Sequence, residues 1–158
     1  MNTPIRKPRE LEPIYDAKTF QPSTSVGYLV NRVRTELLAA IDRELEPFEV
    51  TSSQYIILAH FAHNLVDSVS GLCKGIAYDP GAMTRMIDRL EAKGLARRVR
   101  DTEDRRAMKL ELTEEGKALF PKMRVKVVGV VNHALRDFTK SEARELERLL
   151  QRVLANIL

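Results

Sequence analysis

The chain has one cysteine, no tryptophan, three histidines and only 6% aromatic residues among 158. A single thiol, Cys73, excludes an intrachain disulfide framework and supplies too few sulfur ligands for a structural zinc site. The histidines form no recognisable constellation with a nucleophile, and the seven glycines are scattered singly rather than gathered into a phosphate-cradling loop. The expectation is therefore a protein that is not an enzyme and needs no cofactor or metal. No apolar run approaches the ~20 residues of a membrane span. The N-terminus lacks the hydrophobic core of a signal peptide, so a cytoplasmic location without membrane contact is expected.

What is present is charge. Charged residues make up 30% of the chain, yet the net charge is only +4. Between Arg85 and Lys109 nine Lys or Arg face five Asp or Glu, a surplus equal to that of the whole chain. A local basic face of this kind suits a polyanion.

That face lies in the stretch Asp79 to Thr113. Asp79 is a good N-cap and Pro80 fits the first helical position, where the missing N–H costs nothing. Met83, Met86, Ile87 and Leu90 then make one apolar stripe, with Thr84, Arg85, Asp88 and Arg89 off it. Gly94 supplies a left-handed C-cap. After it the period changes to 2: Leu95–Arg100 alternates, and Met108–Leu112 puts Met108, Leu110 and Leu112 on one face, Lys109 and Glu111 on the other. The connecting residues 101–106 carry no apolar side chain. A helix followed by a hairpin with a basic tip reads as the second half of a winged helix-turn-helix.

The other elements follow from caps and stripes. Met1 to Pro22 holds four of the seven prolines and reads as an irregular tail, with Ile14, Tyr15 and Phe20 able to pin its end to another subunit. Ser23 to Ser25 cap a long helix through Val26, Leu29, Val30, Val33, Leu37, Leu38, Ile41 and Leu45, stopped by Pro47. Thr51-Ser52-Ser53-Gln54 is a capping box for a second helix ending near Asn64. Ser68 to Ile76 reads as a short third helix, with Val69, Leu72, Cys73 and Ile76 on one face; Ala77-Tyr78 turns from it into the helix at Pro80, and these two short helices joined by a tight turn make the helix-turn-helix. Thr113 caps a long helix with Glu114 and Glu115 in its first turn and Leu119, Met123, Val127, Val130, Val131, Ala134 and Leu135 as its apolar set. Pro121 should bend it. A second capping box, Thr139 to Glu142, opens a last helix carrying Leu146, Leu149, Leu150, Val153, Leu154 and Ile157. Such terminal stripes exceed what one small domain can cover, so an intertwined dimer is inferred.

The run DTEDRRAMKLELTEEG, preceded by MTRMIDRLEAKGL, resembles the signature of the MarR (multiple antibiotic resistance) family of bacterial transcriptional regulators. The acidic-any-Arg wing element is Asp104-Arg105-Arg106 and the following Leu-Thr is Leu112-Thr113; the resemblance runs from about Val26 to the C-terminus. It implies a homodimer on a pseudopalindromic double-stranded DNA operator, usually a repressor released by a small ligand or oxidant. The expected fold is mainly α, an α+β winged helix-turn-helix with long N- and C-terminal dimerisation helices. Residues 1–22 form the tail and 23–158 the single domain, with the winged part about 48–113 and the dimerisation helices about 23–46 and 114–158.

Each DNA contact has an expected role. Gly81 and Ala82 let backbone amides approach phosphate or base edges. Arg85 is the candidate for bidentate reading of guanine, Thr84 for a thymine methyl, and Arg89 lies on the same helix. Arg106 matches the family's wing arginine and suits a narrowed minor groove, oriented by Asp104. Arg98, Arg105 and Lys109 are expected on phosphates. The resemblance also implies an effector cleft, often for phenolic or aromatic carboxylate compounds; Arg32, Tyr55, His60 and His63 are its candidates. Peroxide-sensing members use a cysteine near the start of the first helix, and this chain has none there. The alternatives are a redox-responsive regulator acting through Cys73, or a winged-helix protein-interaction module without a small-molecule signal.

Overall fold

The computed structural model describes residues 12–63, 71–73, 79–100 and 108–158. Five helices and one hairpin are labelled here: α1 Val26–Leu45, α2 Ser52–Ala62, α3 Pro80–Ala92, β1 Ala96–Arg100, β2 Met108–Leu112, α4 Glu114–Ala134 and α5 Lys140–Ile157. The chain divides into two units, up to Thr35 and from Glu36 on, with the boundary inside α1.

In the first unit the described part of the tail is a turn and a 3-10 segment, Pro22–Thr24. Tyr15 meets Phe20 edge-on at 5.3 Å, and its hydroxyl accepts from the Val26 amide at 2.9 Å. The Ser25 hydroxyl accepts from the Tyr28 amide at 3.3 Å. These oxygens satisfy first-turn N–H groups that a helix cannot pair internally.

In the second unit the helices begin where side-chain oxygens can reach the free amides. The Thr51 and Gln54 side chains form the reciprocal box at α2, and Asp42 Oδ1 also accepts from the Ser52 amide at 2.5 Å. Asp79 Oδ1 accepts from the Ala82 amide at 2.9 Å, Thr113 Oγ1 from the Gly116 amide at 3.0 Å, and Thr139 and Glu142 form the box at α5. The core draws on every described element but α5: Ile41 and Leu45, Ile57 and Leu58, Leu72, Met83, Ile87 and Leu90, Leu95, Ala96, Leu110 and Leu112, Phe120 and Met123.

The strands pair antiparallel with Ala96 opposite Leu112, Arg98 opposite Leu110 and Arg100 opposite Met108. Residues directly across share a face, so Arg98 stands on the same side as the buried Leu110. Gly94 adopts φ +68°, the left-handed turn that a side chain would resist. At the hairpin base the Thr113 amide donates to the Leu95 carbonyl at 3.2 Å and the Thr113 hydroxyl donates to the Gly94 carbonyl. A Cβ on the buried Gly116 would lie 2.0 Å from the Leu95 oxygen, so α4 reaches the hairpin only because residue 116 has no side chain.

Some expectations shift. α2 ends at Ala62 with His63 as its C-cap, a residue or two short of the expected end. Of the expected third helix only 71–73 are described; they are helical, with Leu72 buried and Cys73 half-buried, and Val69 and Ile76 lie outside the described residues. On α4 the buried face is Gly116, Phe120 and Met123, with Leu119, Val127 and Val130 at its margin. The expected stripe omitted Phe120, and hence its centre. α4 continues through the exposed Pro121. No residue of α5 is buried; Leu154 is 56% and Ile157 74% exposed.

Candidate nucleic-acid interface

α3 presents two faces. Met83, Ile87 and Leu90 are buried, which turns Gly81, Thr84, Arg85, Asp88 and Arg89 outward, all of them exposed, while Ala82 is half-buried. Asp79 holds the first turn, and a Cβ on Gly81 would stand 3.1 Å from Asp79 Oδ1 and 3.6 Å from Arg85 Nη1. The glycine therefore leaves room beside the Arg85 guanidinium. The Thr84 hydroxyl donates to the Pro80 carbonyl at 2.9 Å, so its proton is engaged and its methyl and lone pair remain for a base.

The hairpin distributes its arginines unequally. Arg97 points to the outer face and pairs with Glu111 at 3.1 Å. Arg98 Nη2 lies 2.7 Å from Asp88 Oδ1, Nη1 donates to Glu91 Oε2, and the Arg98 amide donates to Glu91 Oε1 at 2.7 Å. Expected on a phosphate, Arg98 is instead bound to two carboxylates of α3. Lys109 is half-buried and opposite Val99. Asp104, Arg105 and Arg106, the expected wing tip, lie outside the described residues.

Of the four effector candidates, Tyr55 and His63 share one neighbour, the Phe120 ring. His60 Nδ1 is 2.8 Å from the Ile56 carbonyl of its own helix. Tyr55 stacks on Phe120 at 5.6 Å and 14°, and His63 meets the same ring edge-on at 5.7 Å. Burial pushes the Tyr55 phenol above its ordinary range, and the Arg124 charge partly opposes this. Arg32 belongs to the first unit. Phe120 and Arg124 were missed by sequence reasoning, although their i, i+4 spacing on a helix puts them on one face. A separate open cleft of about 420 Å³ between α1 and α4 is lined by Ala40, Arg43, Val125, Gly129, Val130 and His133, and bridged by Lys126 and Glu44 at 3.0 Å. It contains none of the four candidates. Among the described residues no group of three or more His, Cys, Asp or Glu is arranged to hold a metal, and no helix is long and apolar enough to cross a membrane.

A model of the MarR family matches residues 48–107, the span from the turn before α2 to the end of the hairpin's connecting segment. Among solved structures, a mutant of MarR from E. coli complexed with operator DNA is 29% identical with a TM-score of 0.72, covering 81% of this chain and 92% of that one. Wild-type MarR from E. coli in its apo form is 28% identical with a TM-score of 0.69, covering 82% and 97%. CouR from Rhodococcus jostii RHA1, bound to p-coumaroyl-CoA, has a TM-score of 0.76 at 24% identity, covering 84% and 94%, a likeness of fold.

Proposed function

The chain is a MarR-family winged-helix protein of the DNA-binding regulator type, and from this premise we propose that it is a homodimeric, cytoplasmic repressor acting on a near-palindromic operator. The observation that carries the reading is the outward face of α3, where Thr84, Arg85 and Arg89 stand exposed on a helix whose other face is sunk in the core. Such a helix can lie in a major groove, its first turns against base edges. MarR from E. coli, crystallised on operator DNA, resembles this chain over most of its length. In our reading Arg85 reads a guanine, Thr84 a thymine methyl, and Arg106 at the hairpin tip enters a minor groove with Asp104 as its orienting partner. Arg105 and Lys109 take phosphates.

The exposed apolar residues of α5 suit a second copy of the chain, and in the first unit Val26, Leu29 and Val33 of α1 are likewise exposed. A two-fold dimer sets its recognition helices about one duplex turn apart, roughly 34 Å. For release we propose a small aromatic acid or phenol, received by the Tyr55, Phe120 and His63 rings with Arg124 as cation. A coupling of about 1–3 kcal/mol would lower operator affinity some 5–150-fold.

The test is selection of duplexes from a random pool by the purified protein, followed by titration of the enriched sequence. A palindromic consensus with steeply salt-dependent affinity is expected, and Arg85→Ala should relax discrimination at one base position by about 1–3 kcal/mol. Absence of DNA binding at low ionic strength overturns the reading. A binding curve unchanged by Arg85→Ala removes Arg85 from it.

A further inference from the structure

Arg98 has the charge of a phosphate contact and the surroundings of something else. Its guanidinium reaches Asp88 and Glu91, which stand three apart on α3, and Glu91 also takes the Arg98 amide, so the strand is held by both backbone and side chain. The Arg98 side chain is 28% exposed and Glu91 30%, whereas the exposed pair Arg97–Glu111 ties the two strands only to each other. One cation against two carboxylates leaves the cluster with a net charge of −1. A phosphate approaching Arg98 would meet the half-exposed Asp88 carboxylate, at the cost of like-charge repulsion.

We propose that Arg98 is a positioning residue for operator binding: it clamps the hairpin to the recognition helix through Asp88 and Glu91 and touches no DNA. The proposal rests on the DNA-binding reading above. Physically, a helix bound for a major groove and a hairpin bound for a minor groove engage one duplex together only at a fixed mutual angle. Beyond the Gly94 turn and the core under it, the Arg98 clamp is a polar link between α3 and β1 among the described residues, and it holds this angle. Without it each part can still bind, but the loss of pre-organisation appears as lost affinity.

The experiment uses the full-length protein and the duplex enriched by the wild type from a random pool. Affinity is measured over a series of salt concentrations for Arg98→Gln, Arg98→Lys, Asp88→Asn and the double variant Arg98→Gln/Asp88→Asn. Arg98→Gln is expected to bind about tenfold more weakly, the usual consequence of losing a part-buried charged hydrogen bond, with the wild-type salt slope. Arg98→Lys should recover part of the loss, and the double variant should be no weaker than Arg98→Gln, because both changes break one link. Footprinting separates positioning from mere stability: Arg98→Gln should lose minor-groove protection beside the site while keeping major-groove protection, whereas a partly unfolded protein loses both together. If Arg98→Gln does not fold, Asp88→Asn, which removes one contact at a half-exposed residue, must show the same selective loss in the minor groove. A salt slope reduced by about 0.9, the signature of a lost phosphate contact, overturns the proposal, as does an unchanged affinity. Failure of the wild type to bind any duplex overturns the DNA reading itself, an outcome distinct from these.

Discussion

At Gly116 the fold depends on the absence of a side chain. A methyl there would sit 2.0 Å from the Leu95 oxygen, a backbone atom that cannot rotate away, so Gly116→Ala must push α4 off the hairpin or unwind its first turn. We expect a loss of about 1–3 kcal/mol, the usual cost of overpacking, seen as a lower urea midpoint with unchanged slope. Asp79→Ala should cost about 1 kcal/mol by removing the cap on α3, and a midpoint equal to wild type would show that water replaces the carboxylate there. These two residues also divide what the sequence makes legible from what it does not. Asp79, Thr51 and Thr139 act on amides three positions away, so their roles can be read from neighbours alone. Gly116 and Arg98 act on atoms brought near by the fold: Gly116 on Leu95, twenty-one positions back, and Arg98 on Asp88 and Glu91 across the Gly94 turn. Phe120 was missed for a related reason, since several apolar stripes fit α4 and only its partners, Tyr55 and His63, select one.

The best-defined device among the elements is the reciprocal cap of α5. The Thr139 amide and hydroxyl both donate to Glu142 Oε2, at 2.8 and 2.7 Å, and these bonds hold the Glu142 carboxyl below the usual glutamate range. A depressed folded-state value means that the stabilisation is complete above the unfolded glutamate value and is lost as pH falls through the lower folded one. Glu142→Gln keeps an acceptor for the cap but cannot titrate. The wild type should therefore lose α5 helicity relative to Glu142→Gln as pH is lowered through the acid range, and the two should run parallel above it. Parallel circular dichroism curves throughout would show that the carboxylate charge adds nothing to the cap. β1 carries the contrasting lesson. Leu95 and Ala96 are both buried although adjacent, because the chain enters the strand from the Gly94 turn, so alternation alone does not fix which arginine faces inward. The cross-strand register does.

For the whole molecule the decisive quantity is apolar surface without a cover. α5 has a strongly amphipathic sequence and no buried residue, and leaving Leu149, Leu150, Val153, Leu154 and Ile157 between 38% and 74% exposed forfeits a corresponding share of the roughly 1.5–3 kcal/mol that full burial of each large aliphatic side chain contributes. If a second copy supplies the cover, Leu150→Asp with Leu154→Asp should leave each chain folded, because neither side chain supports the core, and should shift the mass in solution from dimer to monomer at micromolar concentration. The helical signal should stay near that of the wild type, which separates dissociation from unfolding. DNA binding then supplies an independent reading. Joining two half-site binders makes the second contact intramolecular, with a gain of about 10²–10⁴ over either alone, so the monomeric variant should lose that factor on a full palindrome and almost nothing on a single half-site. A variant that stays dimeric would move the interface away from α5. One that becomes monomeric yet binds the palindrome as tightly as before would break the link between two-fold assembly and operator recognition, leaving each winged helix to act alone.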